Sequence, residues 1–189
     1  MNKSSYRFLL SIIFIIWATG LISWLFNYPL SQHGILPRHP TALTGIITAP
    51  FVHGGFYHIL SNTIAFLSLG WLVSLYNEKH HNQLVKLSLF VAFWGGLLTW
   101  LLGRPHYHIG LSGVIFGYWG FITVNGIFER SIKSALISII AIIMYGGMIF
   151  GILPTSPEIS FEGHLFGAVS GIMYSYLYRR KARGNNVAK

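Results

Sequence analysis

Six apolar runs, each long enough to cross a bilayer, dominate this 189-residue chain: roughly Phe8 to Phe26, His58 to Tyr76, Leu84 to Leu102, Ser112 to Phe128, Ile132 to Leu153 and Glu162 to Tyr178. A helix needs about 20 residues to span hydrocarbon at a rise of ~1.5 Å per residue. Only 9% of the residues are charged, against roughly a quarter in soluble domains. The expected class is therefore an all-α integral membrane protein, a bundle of six transmembrane helices. The first run is too long for a signal-peptide apolar region and no small-residue cleavage site follows it, so it reads as a retained anchor helix. With no repeat or low-complexity tract, the chain reads as a single membrane domain over residues 1–189, with a core at about 48–178 and a basic tail at 179–189.

Sorting the basic residues by loop orients the bundle. With a cytoplasmic N-terminus, the inside segments carry Lys3, Arg7, Lys79, Lys86, Arg130, Lys133, Arg179, Arg180, Lys181, Arg183 and Lys189, and the outside loops carry only Arg38 and Arg104. Eleven of the 13 cations fall on one side, a strong positive-inside bias that puts both termini in the cytoplasm. The surrounding partner is the lipid bilayer, and the expected place is a bacterial inner membrane. A net charge of +9 is explained by this topology; no basic reading face exists for a nucleic acid. The outside segment from Asn27 to Tyr57 is long and carries Pro29, Pro37, Pro40 and Pro50, which break any regular helix. A loop of that kind is expected to pack partly into the headgroup region and to be functional.

Composition removes whole chemistries. Without Cys there is no disulfide framework, thiolate metal site or cysteine nucleophile. The four acids are Glu78, Glu129, Glu158 and Glu162, so a pair of aspartates sharing a proton is impossible. Nine histidines invite a metal site. However, no His-Glu-x-x-His run occurs, and His53 and His58 are spaced so that they do not share a helical face. No metal is expected. A transporter would show paired charges within spans or matching broken helices, and neither is visible.

Polar groups in hydrocarbon need a reason. Three polar segments stand out: His53-Gly54-Gly55-Phe56-Tyr57-His58-Ile59-Leu60-Ser61-Asn62, Gly110-Leu111-Ser112-Gly113, and Gly163-His164-Leu165-Phe166-Gly167. They open spans two, four and six, so topology alone brings them to one face at similar depth. Ser112 then reads as a nucleophile and His164 as its general base. His58 and Asn62, one helical turn apart, are candidate donors to an oxyanion, joined by the backbone amide of Ser112 at a helix N-terminus. Gly163, Gly167 and Gly171 share one face of span six, and Gly113, Gly117 and Gly120 thin the facing surface of span four. Small residues at that spacing let membrane helices approach closely.

Together, Gly110-Leu111-Ser112-Gly113, His58-x-x-x-Asn62 after His53, and His164 followed by Gly167 and Gly171 resemble the rhomboid family of intramembrane serine proteases over about Thr48 to Tyr178. The resemblance implies cleavage of transmembrane protein substrates by a Ser-His dyad with no cofactor, with substrate access between spans two and five. It makes Ser112 the nucleophile and His164 the base, and places His58 and Asn62 in the oxyanion site. Supporting positions are His53, Gly110, Gly113, Phe116 and Gly167. Two departures from the family pattern occur. Where many members carry a Trp-Arg pair, the chain reads Ala42-Leu43-Thr44-Gly45, and Phe116 stands where a tyrosine stacks on the histidine. The alternative function is an inactive rhomboid-like protein that binds membrane clients, a group that tends to lose the serine or the histidine.

Other residues read as structural. Taken alone, Ser112 would bond to its own helix and His164 would be a packing histidine; their pairing is what favours chemistry. His53 reads as a loop-holding hydrogen-bond group, and His106 and His108 as loop polar groups. Glu162 stands at i−2 from His164 and so points away from that ring. The Arg179 to Arg183 cluster reads as a cytoplasmic anchor. A neutral His164 base predicts that activity falls on acidification near ~6.5.

Overall fold

The computed structural model describes residues 1–76, 82–155 and 159–187, with side chains described through 179. Glu78, Lys79, Glu158 and Lys189, and the side chains of Arg180, Lys181 and Arg183, lie outside the described residues. Among the described residues every regular element is helical: α1 (Lys3–Phe26), α2 (Gly45–Thr48), α3 (Phe56–Leu75), α4 (Gln83–Leu102), α5 (Ser112–Glu129), α6 (Ile132–Tyr145) and α7 (Phe161–Val187), with short 3-10 turns between them.

Local chemistry sets the ends. The side chain of Asn2 accepts from the Ser5 amide at 2.8 Å, so α1 begins five residues earlier than the apolar run suggested. It stops at Asn27, whose φ of 49° is left-handed. Ser131 caps α6 by accepting from Ser134 N. The apolar run through Leu153 is not one helix: from Gly146 it tightens to a 3-10 turn ending at Ile152. Two consecutive glycines at this point lower α-helical propensity. At the other end, α7 continues through the basic segment to Val187, because Arg, Lys and Ala are good helix formers. The tail expected at 179–189 is thus helical as far as residue 187.

Four helical stretches, Lys3–Phe26, Phe56–Leu75, Gln83–Leu102 and Ile132–Ile152, are long and apolar enough to cross a membrane. Their outer faces carry bare hydrophobics such as Phe14 and Phe26, each 74% exposed, and Ile143 at 78%. Water would penalise such a surface, whereas hydrocarbon does not. The other two long helices, α5 and α7, carry the polar residues Ser112, Asn125, Glu129, Glu162, His164 and Arg179. They form the tightest pair in the bundle. A methyl added at Gly167 would strike the Gly113 backbone, one at Gly171 the Gly117 carbonyl, and one at Gly120 the Ala168 carbonyl. The glycine stripes therefore face each other, backbone on backbone.

The long loop after α1 is ordered as short turns docked onto the end of α4. Ile35 pairs with His108 in an isolated antiparallel bridge. The Arg38 guanidinium donates to the carbonyls of Gly103 at 2.9 Å and Leu101 at 3.3 Å, and Trp100 Nε1 donates to His39 O at 3.1 Å. Gly45, in the stretch that departs from the family pattern, packs directly on the Gly34 backbone. At the opposite end of the bundle, Arg179 is no free anchor. It pairs with Glu129 at 2.7 Å and donates to Asn125 Oδ1 at 3.1 Å, while Ser175 donates to the same oxygen at 3.0 Å.

Candidate active site

Ser112 is the first residue of α5, following Gly110, whose φ of 108° is accessible to glycine and strained for other residues. A side chain at Gly110 would also collide with the His58 ring, 2.7 Å from Nε2 and 3.6 Å from Ser112 Oγ. This glycine lets the chain turn sharply into α5 while lying flat against His58. The turn is held by Gly110 N, which donates to Ala49 O at 2.9 Å, and by Leu111 N, which donates to His53 Nε2 at 3.4 Å.

His164 arrives from the first turn of α7. Its Nε2 lies 2.9 Å from Ser112 Oγ, and its Nδ1 lies 2.9 Å from the Gly151 carbonyl. A carbonyl only accepts, so Nδ1 carries the proton and donates it; Nε2 then holds the lone pair that accepts from the serine hydroxyl. The backbone of the 3-10 turn thus fixes the tautomer that a carboxylate fixes in three-residue systems. Phe116, one turn into α5, stacks on the His164 ring with centroids 4.1 Å apart and planes 7° from parallel. The stacking needs only an aromatic face, which Phe116 supplies without a hydroxyl.

His58 and Asn62 stand on α3 facing the same space. Gly54 N donates to His58 Nδ1 at 3.4 Å, which leaves Nε2 to carry the proton on the side of Gly110 and Ser112. The Asn62 amide nitrogen is buried and has no protein partner among the described residues. A buried, unpaired donor is costly unless something arrives to accept from it. His53 packs edge-on to His58 with centroids 4.9 Å apart. Burial, with the neighbouring His58 second, lowers its pKa to about 4. A pocket of about 50 Å³, walled by Ser112, Gly113, Gly163 and Gly167, adjoins the serine.

Three features of this region were not legible in the sequence. Gly151 carries no side chain, so no motif could mark its carbonyl as the partner of His164. Ser160 Oγ meets His108 Nδ1 at 2.5 Å, while His108 Nε2 donates to the Arg104 carbonyl at 3.1 Å; burial lowers the His108 pKa to about 4. Arg104 clasps Glu162 through Nε at 2.5 Å and Nη2 at 3.2 Å, and its Nη2 also donates to Ile159 O at 2.9 Å. Glu162 therefore faces Arg104 and not His164, in keeping with its i−2 spacing. His106, His108 and Glu162 lie close enough to hold a cation, but the Arg104 guanidinium already occupies that carboxylate.

The Rhomboid domain family model matches residues 40–181. An uncharacterised Mycobacterium tuberculosis protein, Rv1337, is 35% identical over 187 residues, covering 93% of this chain and 77% of its own length. An uncharacterised Mycobacterium leprae protein, ML1171, is 32% identical over 190 residues, covering 96% and 74%. RHOMBOID-like protein 1 of Arabidopsis thaliana is 26% identical over 144 residues, covering 74% and 36%. The chain belongs to the rhomboid family.

Proposed function

We propose that this rhomboid is an intramembrane serine endopeptidase that cuts transmembrane segments of other membrane proteins. The observation that carries the reading is the 2.9 Å contact between Ser112 Oγ and a His164 ring whose other nitrogen is tied to Gly151 O. Ser112 Oγ bonds to the scissile carbonyl carbon as its proton passes to His164 Nε2, and the carbonyl electron pair moves onto oxygen. Donors from His58 Nε2, Asn62 Nδ2 and the Ser112 amide face that oxyanion, each of the kind that contributes about 10²–10³ in rate. Collapse expels the amine, which takes the proton from His164. A water then attacks the acyl-enzyme with His164 again as base. His53, Gly110, Gly113 and Gly167 support this arrangement by holding the loop and permitting close approach.

A helical substrate hides its carbonyls in its own hydrogen bonds, so small or helix-breaking residues in the client favour cleavage. The same reading takes all six apolar runs as spans of a bacterial inner membrane with both termini cytoplasmic. The distribution of Lys and Arg supports this orientation. The test is cleavage of a tagged single-span substrate in membranes by the parent, Ser112→Ala and His164→Ala at matched expression. Cutting by the parent alone is expected. Equal cutting by all three would move the activity elsewhere, and capture of a client by every form with no cutting would make the protein a binder.

A further inference from the structure

Beside the Ser112–His164 pair stands a second serine and histidine wired in the same way. Ser160 Oγ meets His108 Nδ1 at 2.5 Å, and His108 Nε2 meets the Arg104 carbonyl at 3.1 Å. A carbonyl only accepts, so Nε2 carries the proton and Nδ1 accepts from the Ser160 hydroxyl. The two pairs run in step along the chain: His108 precedes Ser112 by four residues, and Ser160 precedes His164 by four. His108 and Ser160 also line the small pocket beside Ser112.

This pair is not a second nucleophile and base. His108 is 3% exposed, and burial lowers its pKa to about 4, so its ring is too weak a base to activate a serine near neutral pH. Its effect is on position. Ser160 immediately precedes α7, and its carbonyl accepts from His164 N at 3.2 Å. At that place a serine side chain ordinarily turns back to cap its own helix; here it reaches across to His108. Two glycines make room: a methyl at Gly163 would stand 2.9 Å from Ser160 Oγ, and one at Gly103 would stand 3.0 Å from His108 Nε2. The His108 backbone is equally committed, donating to Ile35 O at 2.8 Å and accepting from Ile35 N at 2.9 Å. The long loop after α1 is thus fastened to the same residue.

We infer that His108 and Ser160 are positioning residues of the dyad: their side-chain bond ties the loop that leads into Ser112 to the turn that leads into α7, and so holds His164 within reach of the serine. The Arg104–Glu162 clasp joins the same two segments through a side chain that is 37% exposed, where solvent weakens an ion pair. The His108–Ser160 bond joins them at a buried ring. For its effect on turnover this latch rests on the proteolytic reading, whereas the placing of the His164 ring is read without any cleavage.

The test removes one atom. Ser160→Ala deletes the hydroxyl oxygen and keeps the backbone bond to His164, and Ser160→Thr restores a hydroxyl. Nitrogen NMR of the full chain in detergent, isotope-labelled in its histidine rings, gives the first readout, with Ser112→Ala marking where the His164 Nε2 signal lies once its serine is lost. Ser160→Ala is expected to move that signal most of the way to its place in Ser112→Ala, and Ser160→Thr to return it to that of the parent. In cleavage of the single-span substrate, Ser160→Ala and His108→Ala are each expected to lower kcat about tenfold with KM within about twofold, and the double variant to be no slower than either, since all remove one bond. If His108→Ala fails to fold, the two Ser160 variants decide alone. An unmoved His164 signal in Ser160→Ala, unchanged turnover where the parent cuts, or a double variant slowed roughly a hundredfold by simple addition would overturn the latch. A parent that cuts nothing while its His164 signal still follows Ser160 would sink the proteolytic reading and leave the latch standing.

Discussion

The Gly151 carbonyl holds the proton of His164 on Nδ1 and leaves Nε2 to accept from the Ser112 hydroxyl, in a chain without aspartate. On α3, the Asn62 amide is buried without a protein partner among the described residues. On the proposed function, Asn62→Ala is expected to slow cleavage by about 10² with little loss of stability, because it removes a donor to the oxyanion and no hydrogen bond of the resting protein. Steady-state rates beside thermal melts check this, and a large fall in melting temperature with unchanged rate would contradict it. His53 and His108 make a different prediction. The unfolded chain protonates them near 6.5 and the folded one only near 4. Stability is therefore complete above about 6.5 and is lost as pH falls through that window, by at most about 1.4 kcal/mol per pH unit for each histidine. Melting in detergent from pH 7 to 4 reads it, and His108→Asn should flatten the slope. Ser112, His164, His58 and Asn62 were legible as residues because each is a polar group opening an apolar run. Gly151 was not, since a backbone carbonyl has no sequence signature.

Between elements, the α5–α7 seam decides whether Ser112 and His164 meet. Gly171→Ala drives a methyl into the Gly117 carbonyl, a backbone group that cannot step aside, whereas Gly147 has nothing within 4 Å of an added Cβ. The first substitution is expected to destabilise by roughly 1–3 kcal/mol and to lengthen the Ser112–His164 contact, and the second to be nearly silent. Paired melts and cleavage rates of the two alanine variants separate packing from glycine loss in general. The Arg104–Glu162 clasp ties the loop that leads into Ser112 to the turn that carries His164. Glu162→Gln keeps the shape and removes the charge, and is expected to lower turnover by a few-fold. Unchanged turnover would show that the clasp does not help to position His164. The glycine stripes were legible as close-approach faces; the clasp was not, since its partners are 58 residues apart in sequence.

For the whole molecule, the absence of cysteine makes topology testable without background. Single substitutions Lys3→Cys and Gln32→Cys, probed in intact cells with a membrane-impermeant maleimide, are expected to be protected and labelled respectively. The reverse result would invert the orientation. Sequence by itself determined the solvent, the helical class and the gathering of the three polar segments at one end of the bundle. Hydropathy and the distribution of Lys and Arg are local sums that need no coordinates. Tertiary structure decided the rest: the break of the fifth apolar run at Gly146, the docking of the long loop through Arg38, and the turning of Arg179 inward to Glu129. It also decided the tautomer of His164. Each of these depends on which backbone carbonyl or carboxylate a distant helix presents, and that is set by the packing of α4, α5 and α7, which no single stretch of sequence contains.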